Sequence, residues 1–247
     1  MNSLEPLDNV RIVLSHTSHP GNIGGAARAM KTMGLSDLYL VNPKFFPDRD
    51  AERRAAGAAD ILEKAQVCEN LGQALSGTVF AAAVTARRRD LSHEAFNARQ
   101  GALNLISYAT ENRVAVVFGT ELSGLTNEEV SRCQIVVHIP ADPVFSSLNL
   151  ASAVQVLAYE LRMALVEENP SRQTVSAGTP VTFDDIELLL IHIQKMATRS
   201  GFLDPAEPKR LMQRMRRMFA RARLEREELN ILRGILSACE KQIQKEA

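Results

Sequence analysis

The sequence is poor in the residues that build disulfide-stabilised or metal-centred proteins. It has no tryptophan and only three cysteines, Cys68, Cys133 and Cys239, which are odd in number and far apart. Such a set predicts neither a disulfide framework nor the close spacing of metal ligands. We therefore expect free thiols in a reducing compartment and no bound metal.

Long apolar runs are also missing. No run reaches the roughly 18 residues that a membrane-spanning helix requires, and Met1–Asn9 lacks the basic region and apolar core of a secretory signal. These absences predict a cytoplasmic protein without a membrane partner. The formal net charge is zero, but this balance does not exclude a polyanionic partner, because the distribution of charge matters more than its sum.

Short apolar runs alternate with helix-like segments over residues 1–168. The strand-like runs are Val10–Leu14, Leu38–Val41, Val79–Val84, Val114–Phe118 and Ile135–Ile139. This alternation predicts an α/β domain whose sheet is largely parallel and covered on both faces. One helix is predicted over Ala26–Met33, ended by Gly34. A second, long helix is predicted from about Leu148, because apolar residues recur at helical spacing as far as Leu165.

The composition changes after this domain. Residues 169–180 are rich in Pro, Ser, Gln, Thr and Gly, which is typical of a linker. Residues 181–247 contain no strand-like run, and three helices are predicted there, over Phe183–Thr198, Lys209–Arg223 and Glu225–Lys241. So small a helical segment forms a marginal core alone. We expect this extension to pack on the first domain or on a partner subunit.

The first of three unusual stretches, Gly21-Asn22-Ile23-Gly24-Gly25-Ala26-Ala27-Arg28, follows the first strand-like run. A glycine-rich junction between strand and helix is typical of a phosphate or dinucleotide site. The spacing is not the dinucleotide fingerprint, however, and Asn42 stands where an acidic residue would bind a ribose. A nucleotide-dependent oxidoreductase is therefore disfavoured. Asn22 and Arg28 are candidates for one cleft edge, although Arg28 as a solvated surface residue stays an alternative.

The second stretch, Phe118-Gly119-Thr120-Glu121-Leu122-Ser123-Gly124-Leu125, ends another strand-like run. Its glycines permit a sharp turn. Glu121 either caps the helix that begins near Thr126 or faces a cleft.

The third stretch, Ser146-Ser147-Leu148-Asn149-Leu150, opens the long helix. Ser146 or Ser147 is expected to cap that helix. Asn149 is then an amide close to the start of an apolar helix, and a buried amide needs partners. Asn22 or Glu121, across a cleft, would supply them.

Together the patterns Asn-x-Gly-x-x-x-Arg, Phe-Gly-x-Glu-x-x-Gly-Leu and Ser-Ser-Leu-Asn-Leu resemble the SPOUT superfamily of S-adenosylmethionine-dependent RNA methyltransferases, in the branch that methylates ribose 2′-hydroxyls. The resemblance runs from about Val10 to Leu236 and includes Glu228–Gly234 of the helical extension. It implies a mostly parallel α/β sheet with a deep trefoil knot near its C-terminal strands. It also implies a homodimer that modifies the 2′-oxygen of nucleotide 32 in the tRNA anticodon loop.

The same resemblance implies a site for S-adenosylmethionine built from three turns. Its residues are Val84, Thr85, Ala86, Gly119, Ile139, Ser146, Ser147 and Leu148. The catalytic role falls to Arg28, with Ser147 and Asn149 orienting it or the hydroxyl and with Asn22 and Glu121 in support. Because the pKa of an arginine exceeds about 12, it is a poor base. We expect Arg28 to grip the adjacent phosphate and stabilise the developing alkoxide, while a phosphate oxygen or a polar neighbour accepts the proton.

Positive charge is concentrated in the predicted second helix of the extension. Four arginines at helical spacing predict one basic face, beside an apolar stripe of Leu211, Met215, Met218 and Ala222. A solvated amphipathic helix is the alternative, but an RNA substrate favours a face that tracks phosphates. The residues we expect to contact RNA are Arg87, Arg88, Lys209, Arg210, Arg214, Arg217 and Arg221. Two rival functions stay open: the same reaction on ribosomal RNA, and a catalytically silent RNA-binding protein of the same fold.

Overall fold

A computed structural model describes residues 6–86, 94–166 and 178–246. The strands are β1 Val10–Ser15, β2 Asp37–Val41, β3 Gln66–Cys68, β4 Phe80–Val84, β5 Glu94–Asn97, β6 Val114–Phe118 and β7 Ile135–His138. The helices are α1 Pro20–Met33, α2 Arg49–Ala55, α3 Ala59–Lys64, α4 Leu71–Leu75, α5 Ala98–Ala109, α6 Asn127–Ser131, α7 Leu150–Val166, α8 Phe183–Arg199, α9 Leu211–Ala222 and α10 Arg226–Glu246.

The seven strands form one sheet in the order β3-β2-β1-β6-β4-β7-β5. Every strand pairing is parallel, which confirms the predicted parallel α/β sheet. The carboxyl ends of β1, β6, β4 and β7 are therefore neighbours along one edge, and the loops that leave them meet there. Two edge strands, β3 and β5, have no apolar run and were not predicted from the sequence.

Two apolar layers cover the sheet. On one face, residues such as Ile12 and Val116 pack with α1, α5 and α7. On the other face, Val13 and Val117 pack with α4 and α6. Cys68 and Cys133 are buried free thiols, whereas Cys239 is exposed. Burial raises the pKa of the Cys133 thiol to about 12, which keeps it in the unreactive neutral form.

Helix α1 begins at Pro20, so the prediction of a start at Ala26 was wrong. Two glycines that suggested a loop lie inside the helix, because neighbouring helices leave no room for a side chain. A Cβ at Gly24 would lie 2.1 Å from the carbonyl oxygen of Ala51, and one at Gly25 would lie 2.8 Å from the Cβ of Ala151. The glycines thus let α2 and α7 approach α1 closely.

The helical extension has its own small core, which includes Leu189, Leu190, Phe219 and Leu229. Helices α8 and α10 are joined by Asp185 and Arg226, whose paired contacts measure 2.8 and 2.7 Å. Partial burial alone would raise the pKa of Asp185, but hydrogen bonds from Arg226 and Thr182 outweigh it and lower the pKa to about 2. This ion pair fixes the first turns of the two helices together.

The extension packs on the first domain, at the amino ends of the strands. The Phe183 amide donates to the Thr78 carbonyl at 2.8 Å, and Asp184 accepts from the Ser76 hydroxyl and the Gly77 amide at 3.0 and 2.8 Å. Arg223 of the extension forms an ion pair with Glu94 at the start of β5. The extension therefore lies at the amino ends of the strands, whereas the loops that carry the three sequence motifs lie at their carboxyl ends.

Candidate active site

A pocket lies at the carboxyl ends of β4, β6 and β7. It is an open cleft with about 930 Å³ of empty volume, open solvent included. All of the residues predicted to hold a cofactor line this pocket: Val84, Thr85, Ala86, Gly119, Ile139, Ser146, Ser147 and Leu148. Lining residues that were not predicted include Phe118, Thr120, Leu122 and Ala153.

The turn after β6 forms one wall of this pocket. Thr120 and Gly124 exchange two backbone hydrogen bonds, at 3.0 and 3.3 Å, and Gly124 has a φ of 68°. A Cβ at Gly119 would lie 2.2 Å from the carbonyl carbon of Gly124 and 2.3 Å from the amide nitrogen of Leu125. Only a glycine at 119 allows the chain to fold back this tightly.

Glu121, in that turn, binds the loop that precedes α1. Its carboxylate accepts from the Ser18 amide and hydroxyl at 3.1 and 2.9 Å, from the His19 amide at 3.1 Å and from Asn22 Nδ2 at 2.9 Å. Partial burial would raise the pKa of Glu121, but these hydrogen bonds outweigh it and lower the pKa to about 2. Glu121 does not cap α6, since Thr126 does so through a capping box with Glu129.

Asn149 connects the third motif to the first. Its Nδ2 donates to Asn22 Oδ1 at 2.9 Å, and its Oδ1 accepts from the Ala151 amide at 3.0 Å. Asn149, rather than Ser146 or Ser147, therefore caps α7, and the prediction of a serine cap was wrong. The expected partner Asn22 is present, although Asn149 is exposed and not buried. Asn149, Asn22 and Glu121 form one continuous chain of hydrogen bonds.

Arg28 stands apart from this chain. It is exposed on α1, does not line the pocket, and has no hydrogen bond or ion pair with any residue that the structure describes. Arg28 shares a face with Gly21, about two turns earlier, because seven residues nearly complete two turns. Long side chains on a helix lean towards its amino end, which for α1 follows the carboxyl end of β1.

Ser147 lines the pocket and is exposed. Within the described residues it makes no hydrogen bond, to Asn149 or to Arg28. Its hydroxyl is thus available to a ligand or substrate. Asn22 is in direct contact with both Glu121 and Asn149, but Arg28 and Ser147 pair with none of the described residues.

Ser18 and His19 belong to this site but were not assigned from the sequence. Both contact Glu121, and His19 Nδ1 also accepts from the Gly21 amide at 3.0 Å, which caps α1. Their position directly before the glycine-rich stretch was the only available signal. Histidine is not a usual capping residue, so that signal did not identify the role.

The predicted basic helix is shorter than expected. Helix α9 begins at Leu211, because Lys209 has a φ of 48° that is incompatible with a helix; Lys209 and Arg210 lie before it. The buried face of α9 carries Met212, Met215 and Phe219, whereas Met218 is exposed, so the predicted apolar stripe was wrong in part.

The arginines within α9 and at its two ends divide into two groups. Arg216 and Arg223 form ion pairs with Glu187 and Glu94. Arg210, Arg214, Arg217 and Arg221 have no hydrogen-bonded or ion-paired partner among the described residues. This basic group lies near the amino ends of the strands, whereas the pocket lies at their carboxyl ends. Arg87 and Arg88, the other predicted RNA contacts, lie outside the described residues.

Two negative findings apply to residues 6–86, 94–166 and 178–246. No cluster of His, Cys, Asp or Glu in these ranges is arranged to hold a metal ion. No helix in them is long and apolar enough to cross a membrane.

Comparison with known proteins places this geometry in a family. Residues 9–159 match the SpoU rRNA Methylase family, and residues 184–247 match the C-terminal domain of the tRNA methyltransferase TrmJ. The chain belongs to the TrmJ group of SpoU methylases. It is 48% identical over 244 residues to the tRNA (cytidine/uridine/adenosine-2′-O-)-methyltransferase TrmJ of Pseudomonas aeruginosa, with 95% of each chain covered.

Two further TrmJ proteins support this assignment. The tRNA (cytidine/uridine-2′-O-)-methyltransferase TrmJ of Yersinia pestis is 45% identical over 240 residues, covering 96% of this chain and 93% of its own. The crystal structure of TrmJ from Z. mobilis superposes with a TM-score of 0.82 at 29% identity, covering 93% of this chain and 98% of that one. The similarity to this TrmJ group therefore includes both the sheet and the helical extension.

Proposed function

We propose that this protein is an S-adenosylmethionine-dependent tRNA ribose 2′-O-methyltransferase that modifies nucleotide 32 of the anticodon loop. The observation that carries the proposal is the pocket made by three turns, with the Glu121–Asn22–Asn149 chain of hydrogen bonds at its border. The TrmJ relatives, which are named for methylating the 2′-oxygen of tRNA, supply the substrate class. Because tRNA is the substrate, we also propose that the protein acts in the cytoplasm.

The pocket residues fit S-adenosylmethionine. Ile139, Leu148 and Leu150 offer apolar walls for an adenine ring, while the turns at 84–86 and 119–124 bring backbone polar groups to the same space. Gly119 matters here because its tight turn lets backbone atoms approach a ligand directly. When bound, this cofactor supplies a methyl group that is carried by a positively charged sulfur and that moves to the 2′-oxygen as the bond to sulfur breaks.

The chain's own residues then have to place and activate a 2′-hydroxyl. The guanidinium of Arg28 is unpaired with respect to the described residues, so it is available to bind the phosphate next to the target ribose and to stabilise negative charge that develops on the 2′-oxygen. An arginine does not remove the proton at neutral pH. We assign that step to a phosphate oxygen or a polar neighbour, with Ser147 and Asn149 orienting the hydroxyl or Arg28.

RNA binding is proposed for the basic group of α9. The side chains of Arg210, Arg214, Arg217 and Arg221 have no partners among the described residues, as expected of side chains that bind phosphates. Lys209, just before the helix, joins this surface. Arg87 and Arg88 are proposed for the same RNA on sequence position alone.

We further propose a homodimer. The outward face of α7 carries Tyr159, Met163 and Val166 at helical spacing, and Tyr159 and Val166 are exposed. An apolar stripe on the outside of a domain is typical of a protein interface.

The finer architecture is also a proposal. We propose a deep trefoil knot near the C-terminal strands, a catalytic domain over residues 1–168, a linker over 169–180 and an RNA-binding extension over 181–247. Family membership supports the knot, and the two family matches lie on either side of the proposed linker.

The direct test is nucleoside analysis. Purified protein, S-adenosylmethionine and a tRNA transcript should yield a 2′-O-methylated nucleotide at position 32, mapped by mass spectrometry of RNase fragments. Methylation of ribosomal RNA but not tRNA would favour the first rival function. Cofactor binding without methylation of either RNA would favour a silent RNA-binding protein.

A further inference from the structure

The loop between β1 and α1 contains a histidine whose second ring nitrogen has no partner among residues 6–86, 94–166 and 178–246. His19 Nδ1 accepts a hydrogen bond from the Gly21 amide at 3.0 Å. A nitrogen that accepts cannot carry the proton, so this bond assigns the neutral tautomer with its proton on Nε2. The Nε2–H group makes no hydrogen bond to any described residue, and the side chain is 60% exposed.

Capping alone does not account for histidine at this position. Serine, asparagine or aspartate would satisfy the same amide and is preferred at helix starts. What only the imidazole adds is a protonated nitrogen on the far side of its ring from the capped helix. Since Nδ1 is already occupied and Nε2 is a donor, His19 is suited to donate a hydrogen bond and not to act as a base.

The ring is also held firmly next to the candidate active site. The His19 amide donates to Glu121, and the His19 carbonyl accepts from the Asn22 amide at 3.0 Å. His19 thus lies between two members of the hydrogen-bonded chain. Asp50 Oδ2, 4.0 Å from Nδ1, is the acidic group on this side, and Arg53 and Arg54 of α2 both pair with it.

We propose that His19 is a substrate-contacting residue whose Nε2–H donates to a phosphate oxygen of the RNA at the border of the pocket. This inference rests on the proposed function. A fixed, neutral donor next to the Glu121–Asn22–Asn149 chain would help to set the position of the RNA backbone before transfer. Its capping bond would keep the donor aimed outwards in the free protein.

Substitution separates the two roles of the ring. His19→Asn keeps an oxygen that can cap Gly21 but removes the outward donor. We expect kcat/KM for tRNA to fall about ten- to a hundredfold, the effect of losing a hydrogen bond to a charged group, while S-adenosylhomocysteine affinity and the thermal midpoint stay at wild-type values. His16→Asn is the matched control, because His16 lies in the same loop with a φ of 54°, which asparagine tolerates.

The outcomes are distinct. If His19→Asn had the same kcat/KM as the wild type, or if His16→Asn lost as much, the inference would be overturned. In either case, methylation of tRNA by the wild-type protein would still support the proposed function. If wild-type protein fails to methylate tRNA, it is the proposed function that fails.

A measurement on the unmodified protein guards against misfolding of the variant. Long-range proton–nitrogen NMR of the histidine rings should show His19 protonated on Nε2, with that nitrogen shifting when an anticodon stem-loop RNA is added with S-adenosylhomocysteine. A proton on Nδ1, or an unchanged Nε2 signal at saturating RNA, would contradict the proposal.

Discussion

Asn149 donates a hydrogen bond to Asn22 across the gap between α7 and α1, at 2.9 Å. This bond joins the third motif to the first, because Asn22 in turn donates to Glu121 in the second. The three motifs are far apart in sequence, so no local interaction places them together. Their meeting depends on the parallel sheet, which brings the carboxyl ends of β1, β6 and β7 to one edge.

Replacement of Asn149 by serine tests this link. Serine retains an oxygen that can cap α7 but has no amide to reach Asn22. We expect Asn149→Ser to lower kcat about ten- to a hundredfold with little change in stability, whereas Asn149→Ala should also lose about 1 kcal/mol of unfolding free energy because the cap is removed. Single-turnover kinetics and chemical denaturation measure the two effects. Equal stability losses in both variants would show that serine does not replace the cap.

Arg28→Ala should abolish detectable methyl transfer, a loss on the order of 1,000-fold for removal of a key charge-stabilising donor. Cofactor affinity should be nearly unchanged, because Arg28 does not line the pocket. Calorimetry with S-adenosylhomocysteine and a methylation assay on tRNA check both points. Arg113→Ala is a suitable control, since Arg113 is an exposed arginine at the opposite edge of the sheet. An active Arg28→Ala enzyme would remove this residue from the mechanism.

Glu121 gives a prediction about pH. Its pKa in the folded protein is lowered from an ordinary 4.5 to about 2, so its contribution to stability is fully present above about pH 4.5 and is lost as the pH falls towards 2. We expect Glu121→Gln to destabilise the protein by about 1–2 kcal/mol at pH 7, after allowance for solvent screening.

The pH dependence itself provides the check on Glu121. Thermal unfolding of the wild type and of Glu121→Gln, followed from pH 7 to pH 2, should give midpoints that converge as the pH falls below about 4. A constant difference between the two over this whole range would mean that the carboxylate charge is not the source of the stability.

The place of the candidate site could be predicted from the sequence, because the stretches that begin at Gly21, Phe118 and Ser146 follow strand-like apolar runs. Loops at the carboxyl ends of parallel strands share one edge of the sheet. The individual cofactor residues, such as Val84 and Ile139, were implied by the family resemblance. Details fixed by tertiary contacts could not be predicted in this way. Gly24 and Gly25 lie inside α1 only because Ala51 and Ala151 pack against them.

The edge strands and the basic helix illustrate the same limit. β5 is a strand because it pairs with β7, although its sequence has no apolar run. On α9, spacing alone did not reveal that Phe219 faces the extension core or that Arg216 pairs with Glu187. Partners far away in sequence decide which side of an amphipathic helix is buried.

The proposed dimer predicts that one charge on α7 will separate the subunits. Tyr159 is 46% exposed in the monomer and lies in the middle of the apolar stripe, so Tyr159→Glu would place an unpaired carboxylate in the interface. Sedimentation equilibrium should give a dimer for the wild type and a monomer for this variant. A wild-type monomer at micromolar concentration would contradict the proposal.

Charge reversal on α9 tests the RNA-binding surface. Because the side chains of Arg214 and Arg217 have no partners in the part of the chain that the structure describes, Arg214→Glu with Arg217→Glu should leave the fold intact and weaken tRNA binding. If each arginine neutralises one phosphate, the slope of log affinity against log salt should become shallower by about 2. Filter binding over a range of salt concentrations measures both quantities.

The control for this experiment changes the same charge elsewhere in the extension. Arg233 and Lys241 are exposed on α10, so Arg233→Glu with Lys241→Glu alters the net charge equally without touching α9. If the basic group of α9 tracks phosphates, the α10 variant should retain nearly the wild-type salt slope. Equal losses of tRNA affinity in the two double variants would mean that only total charge matters. Unchanged tRNA binding in the α9 variant would mean that this face of α9 is only solvated and does not contact RNA.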